Sequence, residues 1–188
     1  KFSIKRIADC YYHTSKSDSL LIACYRGIER FQQNSKLHYY AGLVHNRTGR
    51  IKCAIPHYRK LVELEPDNID YIEALAFLLF KDNNIEALKL QEQVVDKNPK
   101  DTKKIDLLLS MYDHFEESAL NILIKVHTNN PDNRKYTLLL AETAQNEGKY
   151  KIALEPVTKI LSTNPNDDKA LKIRAQCYEG LENYKLAI

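Results

Sequence analysis

The feature that most limits how this chain can fold is a recurring proline. Pro66, Pro99, Pro131 and Pro165 stand 33, 32 and 34 residues apart, in the contexts Glu65-Pro66-Asp67, Asn98-Pro99-Lys100, Asn130-Pro131-Asp132 and Asn164-Pro165-Asn166. Twelve residues before each proline lies an alanine: Ala54, Ala87, Ala119 and Ala153. Proline ends the helix before it, because it donates no N–H and pushes the preceding residue out of the helical region. A small side chain at one fixed place is what a helix needs where a neighbour crosses close to its backbone. The period therefore predicts a tandem array of short helical hairpins.

The unit from Ser35 to Asn68 shows the pattern best. His38, Ala41, Gly42 and His45 form a first cluster, Gly49 breaks it, and Ala54, Tyr58 and Pro66 form a second. This spacing resembles the 34-residue tetratricopeptide repeat. The resemblance extends over units 1–34, 35–68, 69–101, 102–133, 134–167 and a truncated 168–188. It implies an all-α fold in which antiparallel helix hairpins stack as a right-handed superhelical solenoid, with residues 1–188 as a single domain. One hairpin cannot bury its apolar face alone, so each unit leans on its neighbours.

The units are not equal. The first lacks a closing proline, and Leu20 replaces the alanine of its second helix, expected over Leu20 to Phe31 after a polar break at Ser15 to Ser19. In the third unit Gln91 stands where an aromatic ring is expected. The fourth departs most: its turn is two residues short and Leu109 occupies the site of Gly42, which predicts an irregularity in helix packing with the hairpin retained. Arg174 takes an apolar site in the sixth. Pro56 and Pro156 fall inside second helices, where each removes a backbone hydrogen bond and bends the helix.

Several function classes are disfavoured. The longest apolar run is the seven residues from Ala74 to Phe80, too short to span a bilayer, so no membrane insertion is expected. A net charge of +3 gives no footprint for nucleic acid. Cys10, Cys24, Cys53 and Cys177 form no CxxC pair, which argues against a zinc site and for small buried thiols in a reducing, cytoplasmic setting. Cys10 and Cys24 lie on the two helices of one hairpin, so a bridge between them is geometrically conceivable. His38 and His45, seven apart on one helix, read as packing residues rather than ligands. No phosphate loop, nucleophile elbow or metal constellation is present. The chain reads as a non-enzyme without cofactor. Lys1 is not a natural start, so it also reads as a fragment.

What the resemblance implies instead is binding of a protein or peptide partner. First helices of successive repeats line a concave groove in that family. Projected here, the site is Phe2, Tyr12, Lys36, Tyr39, Leu43, Arg47, Phe77, Phe80 and Lys81. More polar positions follow, among them Lys103, Asp106, Ser110, Asp113, Leu138, Glu142, Gln145, Lys172 and Gln176. The clamp by which some such repeats hold acidic chaperone tails is not matched. Lys5 fits its first place, but Asp9, Tyr40, Asp70 and Ala74 stand where Asn, Asn, Lys and Arg are needed, and an Asp there repels a carboxylate. The alternative is a structural arm of a larger multi-subunit assembly, or the non-catalytic repeat region of a longer protein. The residues fix no oligomeric state.

Overall fold

The computed structural model describes residues 17–183, and among them every regular element is helical. In chain order the helices are α1 (Ser17–Ile28), α2 (Ser35–Arg47), α3 (Ile51–Leu64), α4 (Ile69–Lys81), α5 (Glu86–Lys97), α6 (Thr102–His114), α7 (Leu120–Asn129), α8 (Arg134–Asn146), α9 (Tyr150–Thr163) and α10 (Asp168–Gly180). They fall into two compact units, Lys1–Lys97 and Asn98–Ile188.

Helix starts repeat because the chemistry before them repeats. Two residues after each boundary proline sits Asn68, Asp101, Asn133 or Asp167, the N-cap of α4, α6, α8 or α10. All four hold extended backbone, with φ between −81° and −73° and ψ between 98° and 102°. Asp101 accepts from the amides of Lys103 and Lys104, Asn133 from Lys135 and Tyr136, and Asp167 from Ala170. Such caps satisfy amides that have no partner inside the helix. Asn68 instead donates its amide to Glu65 at 3.1 Å. Asn34 caps α2 through Leu37 N at 3.3 Å without a proline upstream.

Helix ends repeat as well. Gly49, Asn83, Glu116, Gly148 and Glu182 have φ of 72°, 55°, 56°, 71° and 58°. In each case the next amide reaches back five residues: Arg50 to His45, Asn84 to Leu79, Glu117 to Tyr112, Lys149 to Ala144 and Asn183 to Tyr178, at 2.7–3.0 Å. This is the left-handed cap that closes a helix and turns the chain toward the next one. It is the joint of the α2–α3, α4–α5, α6–α7 and α8–α9 hairpins, and it also ends α10.

In the first unit the apolar seam of α1 and α2 is Leu20, Leu21, Ala23, Cys24, Leu37, Tyr40, Ala41 and Val44, flanked by Ile28 and Tyr39. Ala54 and Ala87 are fully buried at the close crossings, and Gln91 is buried where a ring was expected. Helix α1 starts and ends three residues earlier than the sequence suggests, and Leu20 lies inside it at 2% exposure. In the second unit Leu120, Leu123, Leu140, Ala141, Ala153, Val157, Ile173 and Cys177 anchor a core drawn from α7 to α10. Helices α3 and α9 run uninterrupted through Pro56 and Pro156.

The fourth hairpin differs from expectation in one respect. Its turn is not shortened, because Glu116 keeps the common left-handed geometry. The two missing residues come out of the next helix, so α7 has only ten residues and Ala119 is its partly buried N-cap rather than a crossing point. Leu109 packs at the edge of the second-unit core.

Gly42 marks a close crossing in the first unit. A Cβ there would lie 2.9 Å from Cε2 of Tyr58 and 3.3 Å from Cβ of His57. Tyr58 is 4% exposed and its hydroxyl pKa is pushed up to about 12 by burial, so the ring has little room to retreat. Gly42→Ala is expected to destabilise the first unit by about 1–3 kcal/mol through overpacking. Gly49→Ala meets open space but a strained φ of 72° and should cost about 1 kcal/mol. Urea denaturation of both variants checks the order.

Candidate binding face and the buried histidine chain

Two short stripes make up the described part of the projected site. On α2, Lys36, Tyr39, Leu43 and Arg47 recur at helical spacing along one face. On α4, Phe77 and Lys81 do the same. The two first helices meet through rings, the Tyr39 ring lying 6.1 Å from the Tyr71 ring. Tyr39 is partly buried between Tyr71 and Tyr40, with its ring 5.9 Å from that of Tyr40. The Lys36 ammonium sits 5.5 Å over the Tyr40 ring. Phe77 is 39% exposed, and the Lys81 ammonium lies 4.5 Å over its ring. Arg47 and Lys81 are exposed, while Leu43 and Phe80 are partly buried. Phe2 and Tyr12, with Lys5, Asp9 and His13, lie outside the described residues.

Sequence reasoning did not single out Tyr71, which couples the two helices. Burial is the main cause raising its pKa, followed by the nearby Glu65, Tyr39 and Asp70.

In the second unit the projected positions divide. Glu142 and Gln145 of α8 and Lys172 and Gln176 of α10 line one shallow hollow of about 370 Å³, together with Asn146, Lys169 and Ile173. Leu138 does not join them; it is 6% exposed and belongs to the core. Asp106 is engaged by the Lys135 ammonium at 2.7 Å and the Tyr136 hydroxyl at 3.1 Å. Burial, and then that contact, push the Tyr136 pKa up to about 12.

Away from these stripes the first unit holds a run of polar rings. The carbonyl of Gln32 accepts from Nε2 of His38 at 3.0 Å, and Nδ1 of His38 meets Nδ1 of His57 at 3.2 Å. Tyr25 of α1 places its hydroxyl 3.4 Å from Nε2 of His57 and 2.7 Å from Nε2 of His45. The His45 and His57 rings stack with centroids 5.8 Å apart. His38, His45 and His57 are all buried, as a packing role requires. The sequence marked His38 and His45 as one helical face but offered no signal that Tyr25 and His57 close on them. Burial, then the neighbouring His38 and His45, pushes the His57 pKa down to about 4. Burial and the Arg50 guanidinium lower that of His45.

Among the described residues no three His, Cys, Asp or Glu side chains are placed to hold a metal ion. Cys24 and Cys177 are buried free thiols, and burial raises Cys24 to about 12. Cys53 departs from the expectation of buried thiols by being exposed. Cys10 lies outside the described residues.

Known proteins agree with this architecture. A tetratricopeptide repeat protein from Parabacteroides merdae matches 98% of this chain and 74% of its own, with a TM-score of 0.56 and 17% identity. YrrB, described as having an unusual peptide-binding site, matches 98% and 88% with a TM-score of 0.53 and 18% identity. The chain has the tetratricopeptide-repeat fold. The repeat domain of P58(IPK) superposes over 98% of this chain and 56% of its own, with a TM-score of 0.53 and 15% identity. The family described as anaphase-promoting complex, cyclosome, subunit 3 matches residues 113–188. Over 75 residues the chain is 35% identical to the inactive peptidyl-prolyl cis-trans isomerase shutdown of Bombyx mori, covering 38% of this chain and 17% of that protein. It therefore spans less than a fifth of the length of the curated relative that it matches. No helix among the described residues is long and apolar enough to cross a membrane.

The histidines of this repeat array set a pH dependence with a definite sign. His57 has a folded pKa of about 4, below its ordinary 6.5, so between these values the unfolded chain binds more protons than the folded one. Stability is full above the ordinary value and falls as pH drops through this window. A fully dry site would lose up to about 3 kcal/mol; with Tyr25 open to solvent at 43% exposure, about half that loss is expected. Urea midpoints of the first unit at neutral and acid pH measure it.

Proposed function

We propose that the chain is a protein-interaction scaffold that holds an apolar or aromatic segment of a partner protein on the face formed by α2 and α4. The observation carrying this reading is the exposed Phe77 ring, roofed by Lys81, on the helix whose Tyr71 ring packs on Tyr39. Aromatic side chains left partly open on a rigid helical face are common anchors of binding hot spots, and a polar tip suits a wetted wall. The printed description of YrrB as peptide-binding supports the mode, and the tetratricopeptide-repeat fold favours binding over catalysis. The mixed charge of the face, with Asp70 and Glu73 beside Lys36 and Arg47, does not favour a polyanion.

A second reading draws on the match of residues 113–188 to a subunit family of a large complex. In it the chain is a structural arm of an assembly or the repeat region of a longer protein, and its contacts use outer surfaces.

Peptides selected from a display library against the chain separate the two readings. On the first, Tyr39→Ala with Phe77→Ala weakens the enriched peptides by about tenfold or more, with the helical circular dichroism unchanged. Equal affinity for both proteins would overturn it.

A further inference from the structure

The polar rings of the first unit form a chain with a fixed direction. Gln32 offers a carbonyl oxygen, which can only accept, so His38 carries its proton on Nε2. Neutral His38 then has a bare Nδ1, and His57 must donate to it from Nδ1. That leaves Nε2 of His57 to accept from the Tyr25 hydroxyl, and the Tyr25 oxygen to accept from Nε2–H of His45. The end of the chain is Nδ1 of His45, which is buried and has no hydrogen-bond partner. A bare lone pair there is tolerable; an N–H is not, because a buried donor without an acceptor bears its full desolvation cost.

Each histidine link thus holds one hydrogen between two partners, while Tyr25 can turn its own toward solvent. A proton added to His38 or His57 puts an N–H on His57 Nε2, which the Tyr25 oxygen accepts only by giving up its own bond to the ring, and it leaves an imidazolium charge buried among the rings. A proton added to His45 goes to its buried Nδ1. Among the described residues, the groups facing the chain offer no relief. From α1 these are Cys24 and Tyr25 itself, and from the start of α3 they are Cys53 and the Arg50 guanidinium, whose charge acts against an imidazolium. Tyr25 is the link that solvent reaches, at 43% exposure, and it is also the polar tie between α1 and the α2–α3 hairpin.

We propose that the Tyr25–His45–His57–His38 chain is an acid-released latch that holds α1 against α2 and α3 at neutral pH and lets it go when one further proton enters. The apolar seam of α1 with α2 stays as it is, so what changes is the balance between docked and undocked α1.

The test is amide hydrogen exchange on the whole chain, corrected for intrinsic rates, together with NMR titration of the histidine ring protons. Opening restores an ordinary histidine pKa, so exchange in α1 should accelerate about tenfold or more between about pH 6.5 and pH 5, with α10 changing far less. The His57 ring should remain neutral to below about pH 5. Tyr25→Phe cuts the chain at its solvent-facing link and should make α1 exchange faster at neutral pH and nearly insensitive to acid. Titration of His57 at its ordinary value, or equal acceleration in α1 and α10, overturns the proposal from the wild-type protein alone.

Discussion

The structure depends on how its helices stop. Described helices of ten to fourteen residues are marginal alone in water and gain stability only by laying their apolar faces on one another. That requires chain reversals of nearly constant geometry, or successive hairpins lose register. The left-handed residue at 49, 83, 116, 148 and 182 and the cap at 34, 68, 101, 133 and 167 supply them, each set advancing by 32 to 34 residues. Between these fixed ends, small residues at Gly42, Ala76, Ala141, Ala54 and Ala153 let backbones approach, and the core follows.

The same arrangement decides which side chains meet. In the first unit the first helices of two successive hairpins bring rings together, so residues distant in sequence, such as Tyr39 and Tyr71, become neighbours. The second helices complete the core and, in the first unit, bring His57 beneath the rings of α2. A face built in this way is rigid, which lowers the entropic cost of binding. The second unit offers a contrasting surface, polar and charged around Glu142, Lys172 and Gln176.

Much of this was legible from spacing alone. Proline and alanine recur at fixed intervals because the crossings and boundaries do, so the hairpin array could be read directly. What could not be read was which residue carries a backbone conformation when its side chain gives no hint. Gly49 and Gly148 announce the left-handed joint; Glu116 and Glu182 adopt it without any signature, since tertiary packing imposes the turn. The same blindness placed the missing residues of the fourth unit in the turn rather than in α7. Leu138 was misjudged because periodicity locates a helix face only to within one residue, and one residue moved it into the core. The histidine chain depends on contacts among three helices, which no local pattern records.

The joints also differ in what they ask of the residue that occupies them. Glycine enters the left-handed region freely, whereas a side chain there gives up roughly 1 kcal/mol. The helix ends at Glu116 and Glu182 therefore carry a small standing tension that those at Gly49 and Gly148 do not. Strain at the bends is thus set by a single dihedral angle per repeat, present where a side chain occupies the left-handed position and absent where glycine does.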